Sequence, residues 1–331
     1  MLDDLKGDDE GSCIEDVAIG ASTITIFLKA LTEYCGDIIH VFSDQMTYEG
    51  RNLYEVVIKS TYTSTRDDDD SRPILLLEAG QQGGTEPVTL ALFVIEQLVA
   101  CEENEEMIEK VRWVILPSTN PDGQEYNRFL LATWRKNLRL FEDEFSVGVD
   151  ISRNFESQWG SCPKVHSGFS QVFPGIAPVS ENETLFIKNV LVKYKKDIKV
   201  YLSIRRDGHG IMYPYGYTKN HPTSSDWSVK VAADVASKVN QRAGGVNLFL
   251  NHSIYDFEGK ARCGHSVDYA HDLGIPLAYE MRVFLESDNL IMSKFQTLPR
   301  GYEASLRNGY YSGIRELYNI VIKEKQNGRV Y

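Results

Sequence analysis

Four short runs of uninterrupted apolar, β-favouring residues, at 74–79, 111–117, 199–204 and 276–279, constrain the fold of this chain more than any other feature. A strand with one face in water alternates apolar and polar residues, whereas an unbroken apolar run is the mark of a strand covered on both faces. Between these runs the periodicity changes. Segments 88–101, 183–195, 225–242 and 302–323 place apolar residues three and four apart, which lines one stripe of a helix. Strand alternating with helix implies an α/β fold: a central mixed, largely parallel sheet flanked by helices on both faces. A further strand is expected over 53–59 and an apolar-striped helix over 23–33.

No repeat or low-complexity linker divides the 331 residues, a length that one domain can accommodate. The expected division is an acidic, turn-rich, unstructured lead-in over 1–17 and a single domain over 18–331. The run 66–70, with four successive aspartates, reads as a solvated loop tip. Segments 118–182 and 243–275 are long and rich in Gly, Pro, Asn, Ser and aromatic residues. Loops of that kind in a compact domain usually carry the functional groups.

The formal charge of −12 and the lack of a Lys/Arg stripe exclude a nucleic-acid surface. No apolar run reaches 18 residues, so no membrane span is expected. The start MLDDLKGDDEGS lacks the basic-then-apolar order of a secretory leader, which leaves a cytosolic protein or a sequence without its true beginning. Five cysteines (Cys13, Cys35, Cys101, Cys162, Cys263) lie far apart with no CxxC pair, so buried free thiols are expected.

Within the loops stand TYEGRNLY (47–54), NPDGQEYN (120–127), TWRKNLR (133–139), GVDISRNF (148–155), SENET (180–184), YPYGYT (213–218) and AYEMR (278–282). Together, in this order and at this spacing, the chain resembles the zinc carboxypeptidases of the carboxypeptidase A/B type (peptidase M14). The resemblance runs over about residues 20 to 325. It implies a zinc held by two imidazoles and a carboxylate, with an open position for the attacking water. It also implies a glutamate general base, an arginine for the oxyanion, and an Arg, Asn and Tyr group that grips the substrate's C-terminal carboxylate.

On the positions of that pattern all three zinc ligands are replaced. The strand LLLEAG continues as QQGGTEP, which puts Gln82 at the first histidine and Thr85 at the glutamate; Arg205, ahead of YPYGYT, takes the second histidine. Amide and hydroxyl oxygens bind zinc poorly, and a guanidinium that cannot lose its proton repels the cation. No cofactor is therefore expected. Zinc belongs only to an alternative that recruits Glu86, His209 or His265. His209 lies four residues beyond Arg205, roughly 13 Å along an extended strand, too far to take its place without rebuilding the segment.

The rest of the pattern is largely kept. Glu280 stands at the general base and Arg135 at the oxyanion arginine. Arg153 and Tyr255 stand at the carboxylate-gripping positions, while Ser152 replaces the asparagine and Gly84 a substrate-contacting arginine. Val267 falls where the family sets selectivity, which implies an apolar pocket and peptides ending in aliphatic or aromatic residues; Asp268 beside it also fits the pattern. Cys162 matches one cysteine of the family's loop disulfide, but Ser146 stands at the other, so Cys162 is expected as a free thiol. A nucleophilic pairing with nearby His166 lacks an orienting partner. Without zinc, Glu280 and Arg205 carry complementary charges and are expected to pair where the metal would sit.

Three functions follow as expectations. The first is an inactive pseudoenzyme, monomeric, that binds peptide or protein C-termini with apolar last residues. The second is an active zinc carboxypeptidase cutting after hydrophobic residues, and the third a scaffold that binds neither peptide nor metal. An extracellular location is implied by the resemblance alone.

Overall fold

The computed structural model describes residues 19–60, 72–130, 133–141, 147–163, 165, 167–220, 225–243, 248–284 and 302–326. The lead-in 1–17, the aspartate run, Cys13, Ser146 and His166 lie outside these.

In chain order the elements are α1 (Ala21–Cys35), β1 (Ile39–Met46), β2 (Asn52–Ile58), β3 (Ile74–Ala79), α2 (Thr85–Ala100), α3 (Glu105–Lys110), β4 (Arg112–Leu116) and α4 (Pro121–Leu130). There follow α5 (Asn182–Tyr194), β5 (Ile198–Arg205), β6 (Gly210–Tyr213), α6 (Ser225–Ala243), β7 (Leu250–Ser253), α7 (Ile254–Glu258), α8 (Ser266–Asp272), β8 (Leu277–Arg282) and α9 (Tyr302–Gln326). Each expected strand and helix is present. The polar edge strands β1 and β7 are additions because a strand with little burial leaves no apolar run to read, and β6, though buried, because four residues are too few to show a period. Helices α4, α7 and α8 interrupt the segments expected as loops.

The sheet order is β1-β2-β4-β3-β5-β8-β6-β7. The central pairs β4/β3, β3/β5 and β5/β8 are parallel, as is β6/β7, whereas β1/β2, β2/β4 and β8/β6 are antiparallel. Side chains alternate across it. Leu75, Leu77, Val200, Leu202, Ile204, Leu277, Tyr279 and Met281 pack on one face with residues of α1, α2, α6 and α9. Ile74, Leu76, Tyr201 and Ala278 pack on the other with residues of α5 and α8. On that second face the alternation turns polar toward the strand ends, at Glu78, Ser203, Arg205, Glu280 and Arg282, all buried. The carboxyl ends of parallel strands are where open α/β sheets place their sites.

Helices α6 and α9 pack against each other, and Gly313 lets them approach. A Cβ built there would lie 2.7 Å from Val239 Cγ2 and 3.2 Å from Val235 Cγ1. Gly313→Val should therefore overpack this seam and lower stability by about 1–3 kcal/mol, read as a shift of the urea unfolding midpoint at unchanged slope. An unchanged midpoint would mean that the seam has room to yield.

Candidate functional site

The register of β5 against β8 builds the centre of the site. Ser203 lies beside Glu280 and Arg205 beside Arg282, and residues two apart on a strand share a face. Four polar side chains are thus forced onto one buried patch. The Glu280 carboxylate is its hub. Arg205 Nη1 lies 3.0 Å from Oε2 as an ion pair outside hydrogen-bonding alignment, Arg282 Nε donates to Oε1, and His265 Nε2 lies 2.6 Å from Oε2. The side chains of Arg205, Glu280 and His265 are all 0% exposed. The Arg205–Glu280 pair expected from their charges is formed.

Arg205 is held on its other sides by Ser203 Oγ (3.1 Å from Nε), Gln81 Oε1 (2.9 Å from Nη2) and Ser266 Oγ (2.9 Å from Nη2). Gln81 in turn donates to Glu78, which also accepts from Thr119 and Tyr201. A second carboxylate, Glu258, bridges Arg262 Nη1 (2.6 Å) and Arg282 Nη2, and Arg262 Nη2 reaches Ser152 Oγ at 2.7 Å. The guanidiniums of Arg205, Arg262 and Arg282 thus sit at one place, locked by carboxylates and hydroxyls.

The protonation states follow from the geometry. The Val267 N–H donates to His265 Nδ1 at 3.1 Å, so the imidazole proton rests on Nε2 and is given to Glu280. Burial, reinforced by Arg205, lowers His265 to about 3, so the ring is neutral. Burial alone would raise Glu280, but Arg205, Arg282 and Arg262 outweigh it and hold the carboxyl well below its usual range. Glu258 is likewise held down at about 2 by Arg262 and Arg282 against the effect of burial. Asp268 behaves oppositely. Burial raises it to about 8 although it accepts from the Gly216 N–H.

The other expected site residues lie around this hub. Thr85 opens α2, and Gln82 is buried, donating to Ser152 Oγ at 3.3 Å with its own Oε1 unpartnered. Ser152 donates to Asp150 and accepts from Arg262 and Gln82, which leaves its hydroxyl fully engaged. Arg135 pairs with Asp207, which also holds Arg206 at 3.3 Å, and Arg206 lies over Gly84, whose Cβ would meet its Cδ at 2.8 Å. Arg153 Nε donates to Asp150 Oδ2 at 3.2 Å. Tyr255 is half-buried in α7 with Lys219 Nζ 5.6 Å from its ring centre. Val267 is 0% exposed, packed in the cluster that holds Ile254 and Tyr269.

Zinc does not fit these residues. The three ligand positions supply one amide, one hydroxyl and one guanidinium already paired with Glu280. Among the described residues no group of three or more His, Cys, Asp or Glu side chains is placed to hold a metal. Of the alternative donors, Glu86 is an exposed residue in the first turn of α2, His209 bonds Tyr310 Oη at 2.8 Å, and His265 bonds Glu280.

One expectation is corrected. Cys162 is not a free thiol; it forms a disulfide with Cys263, 101 residues away, with the Cα atoms 5.7 Å apart. The partner is not the family's position at Ser146 but a residue on the segment that carries Arg262 and His265, and sequence separation gave no hint of it. A thiol nucleophile at Cys162 is thereby excluded. Among the described residues Cys35 and Cys101 stand outside any disulfide, and Cys101 Sγ donates to Gln97 Oε1 at 3.6 Å. Arg262, Arg282 and Glu258 are site residues that the motifs did not single out. Arg282 was within reach, since it stands two residues after Glu280 on a strand, but Arg262 and Glu258 belong to a loop and short helix whose path no periodicity reveals.

This fold and this arrangement of positions agree with the comparison to known proteins. The family model for zinc carboxypeptidase, Peptidase_M14, matches residues 24–305, and the chain belongs to that family. Zinc carboxypeptidase A 1 of Drosophila melanogaster is 30% identical over 264 residues, covering 77% of this chain and 59% of the relative. Carboxypeptidase B of Helicoverpa zea is 26% identical over 267 residues, covering 76% and 59%. The chain therefore spans 59% of the length of both relatives. Bovine thrombin-activatable fibrinolysis inhibitor, solved with a tick carboxypeptidase inhibitor, shares the fold with a TM-score of 0.82 at 20% identity, covering 95% of this chain and 100% of that one. Carboxypeptidase A of Helicoverpa armigera superposes with a TM-score of 0.77 at 22% identity, covering 94% and 77%.

Two outcomes are expected. Glu280→Gln leaves buried guanidiniums uncompensated and should cost about 3–5 kcal/mol of stability in chemical unfolding; a cost under about 1 kcal/mol would mean that the hub is not what holds these strand ends. Acid should also weaken the fold. Glu258 takes up its proton near 4.5 when unfolded but only near 2 when folded, so its contribution is complete above 4.5 and lost between 4.5 and 2. That shift corresponds to roughly 3 kcal/mol. Depressed His265 adds a loss in the same direction, beginning near 6.5. Asp268, raised to about 8 by burial, acts oppositely and gains stability as pH falls from 8 toward 3.8. Thermal unfolding below pH 3.8, where Asp268 is protonated folded and unfolded alike, should therefore show the falling midpoint, with a shallower acid limb in Glu258→Gln.

Proposed function

We propose that this chain is a non-hydrolytic member of the zinc carboxypeptidase family that binds the C-terminal carboxylate of a peptide through Arg153. One observation carries the proposal: a permanently charged guanidinium, Arg205, occupies a zinc-ligand position and is ion-paired to Glu280, the general-base position. A carboxylate already paired with Arg205 and Arg282 is a poor proton acceptor, and Gln82, Thr85 and Arg205 are not donors that would hold a metal to lower the pKa of a water. Hydrolysis therefore lacks both its base and its electrophile.

Binding is a separate matter. Among the described residues no hydrogen bond engages the two terminal nitrogens of Arg153, and a guanidinium fork matches a carboxylate in two parallel hydrogen bonds. Arg135 and Ser152 are already taken up by Asp207 and by Arg262 with Asp150, so the grip rests on Arg153, with Tyr255 as the remaining candidate. The disulfide favours an oxidising compartment, which supports an extracellular or secretory-pathway location.

Calorimetry with a peptide ending in Phe, as free acid and as amide, together with zinc content and a hydrolysis assay, tests the proposal. The expected result is affinity lost on amidation, zinc well below one per chain, and no hydrolysis that a chelator abolishes. Stoichiometric zinc with turnover would establish the enzyme instead. Equal, absent affinity for acid and amide would leave a scaffold.

A further inference from the structure

Beside Arg153 lies a cavity of about 390 Å³ lined by residues between 159 and 176 and by the Cys162–Cys263 disulfide; Val267 does not line it. Its walls include Trp159, Val165, Val172, Phe173 and Ile176. Among the described residues that line it, Arg153 carries the only charge. The volume falls at the lower end of the range, roughly 300–1,000 Å³, of pockets that take small ligands, and an apolar lining with one fixed polar group is their usual composition.

The cavity is held open by the fold. The Trp159 indole N–H donates to the Pro174 carbonyl at 3.2 Å, and Asn154 Nδ2 donates to the carbonyls of Pro174 at 2.9 Å and Ala177 at 3.0 Å. Gly175 has φ of +90°, and a Cβ there would lie 2.8 Å from Ser180 Oγ, so this wall turns where only glycine fits. The disulfide ties Cys162 and Cys263, both lining residues, to each other. Ile176 nonetheless leaves 67% of its surface in water, an apolar group without a covering partner.

We propose that this cavity is the specificity pocket of the chain, receiving the apolar last side chain of a peptide whose C-terminal carboxylate is bound by Arg153. The inference deepens the reading above and rests on its carboxylate contact. Two observations place the side chain here rather than at Val267. Val267 is fully buried in the core and presents no surface, while Arg262, Glu258 and Arg282 crowd the ion network on that side. Arg153 borders the cavity directly, so a carboxylate on its terminal nitrogens and a side chain in the cavity can belong to one residue.

A variant that fills the pocket is available. Gly160 lines the cavity, and a Cβ there meets nothing within 4 Å, so Gly160→Phe adds bulk without disturbing the backbone. Acetylated peptides ending in Phe and in Gly, each as acid and amide, are titrated into the full chain and its variants by calorimetry. The expected result is a Phe-ended acid binding at least about tenfold tighter than the Gly-ended acid, as burial of one apolar side chain provides. Gly160→Phe should abolish that preference and leave the Gly-ended acid within about twofold. Ile176→Asn, at a largely exposed side chain, should reduce the preference without adding bulk. Acids that bind better than amides but with equal affinity for Phe and Gly, or a preference that survives both variants, would overturn the pocket and leave the Arg153 reading intact. Acids and amides binding alike would overturn both.

Discussion

The ion pair between Arg205 and Glu280 is the interaction on which the rest of the site depends. A buried carboxylate without compensation would cost several kcal/mol, and so would a buried guanidinium; each is tolerable at 0% exposure because the other is there. The pair does not stand alone. Arg282 and His265 also reach Glu280, Glu258 compensates Arg282 and Arg262, and Arg262 reaches Ser152. What the family builds as a cavity for a dication and a water is here a closed lattice of side chains. The fold around it is unchanged because the lattice is made from the same strand ends that would hold the metal.

This explains how a chain of this family can keep the fold with all three metal-ligand positions replaced. Strand register, not the metal, puts positions 203, 205, 280 and 282 on one face. Arg205 balances Glu280 there, and Ser203, Gln81 and Ser266 complete its hydrogen bonds. The loops beyond the strand ends then become free to take new tasks, and the disulfide to Cys263 anchors the one that walls the cavity beside Arg153.

Much of this was legible in the sequence, for physical reasons that also mark the limits. Strands buried on both faces leave unbroken apolar runs, and β3, β4, β5 and β8 were read from them; β1 and β7, at the sheet edges, leave none. The replaced ligands and the Arg205–Glu280 pairing could be inferred because motif positions fix which residues share the site. The contributions of Arg262, Glu258 and Cys263 could not, since they depend on the three-dimensional path of 254–266 and not on any periodic pattern. Val267 shows the same limit from the other side: its place in the motif says where it lies along the chain, but not that it is sealed within the core.

The hub also makes the change hard to reverse. Restoring a histidine at 205 alone would leave Glu280 neutralised by Arg282 and hydrogen-bonded by His265, with Gln82 and Thr85 still unable to coordinate. Every lone step back toward a metal centre passes through a state that has lost part of the network and gained no ion in return. The lattice thus resists single substitutions toward a metal site, because each removes a compensating charge without supplying a set of coordinating donors.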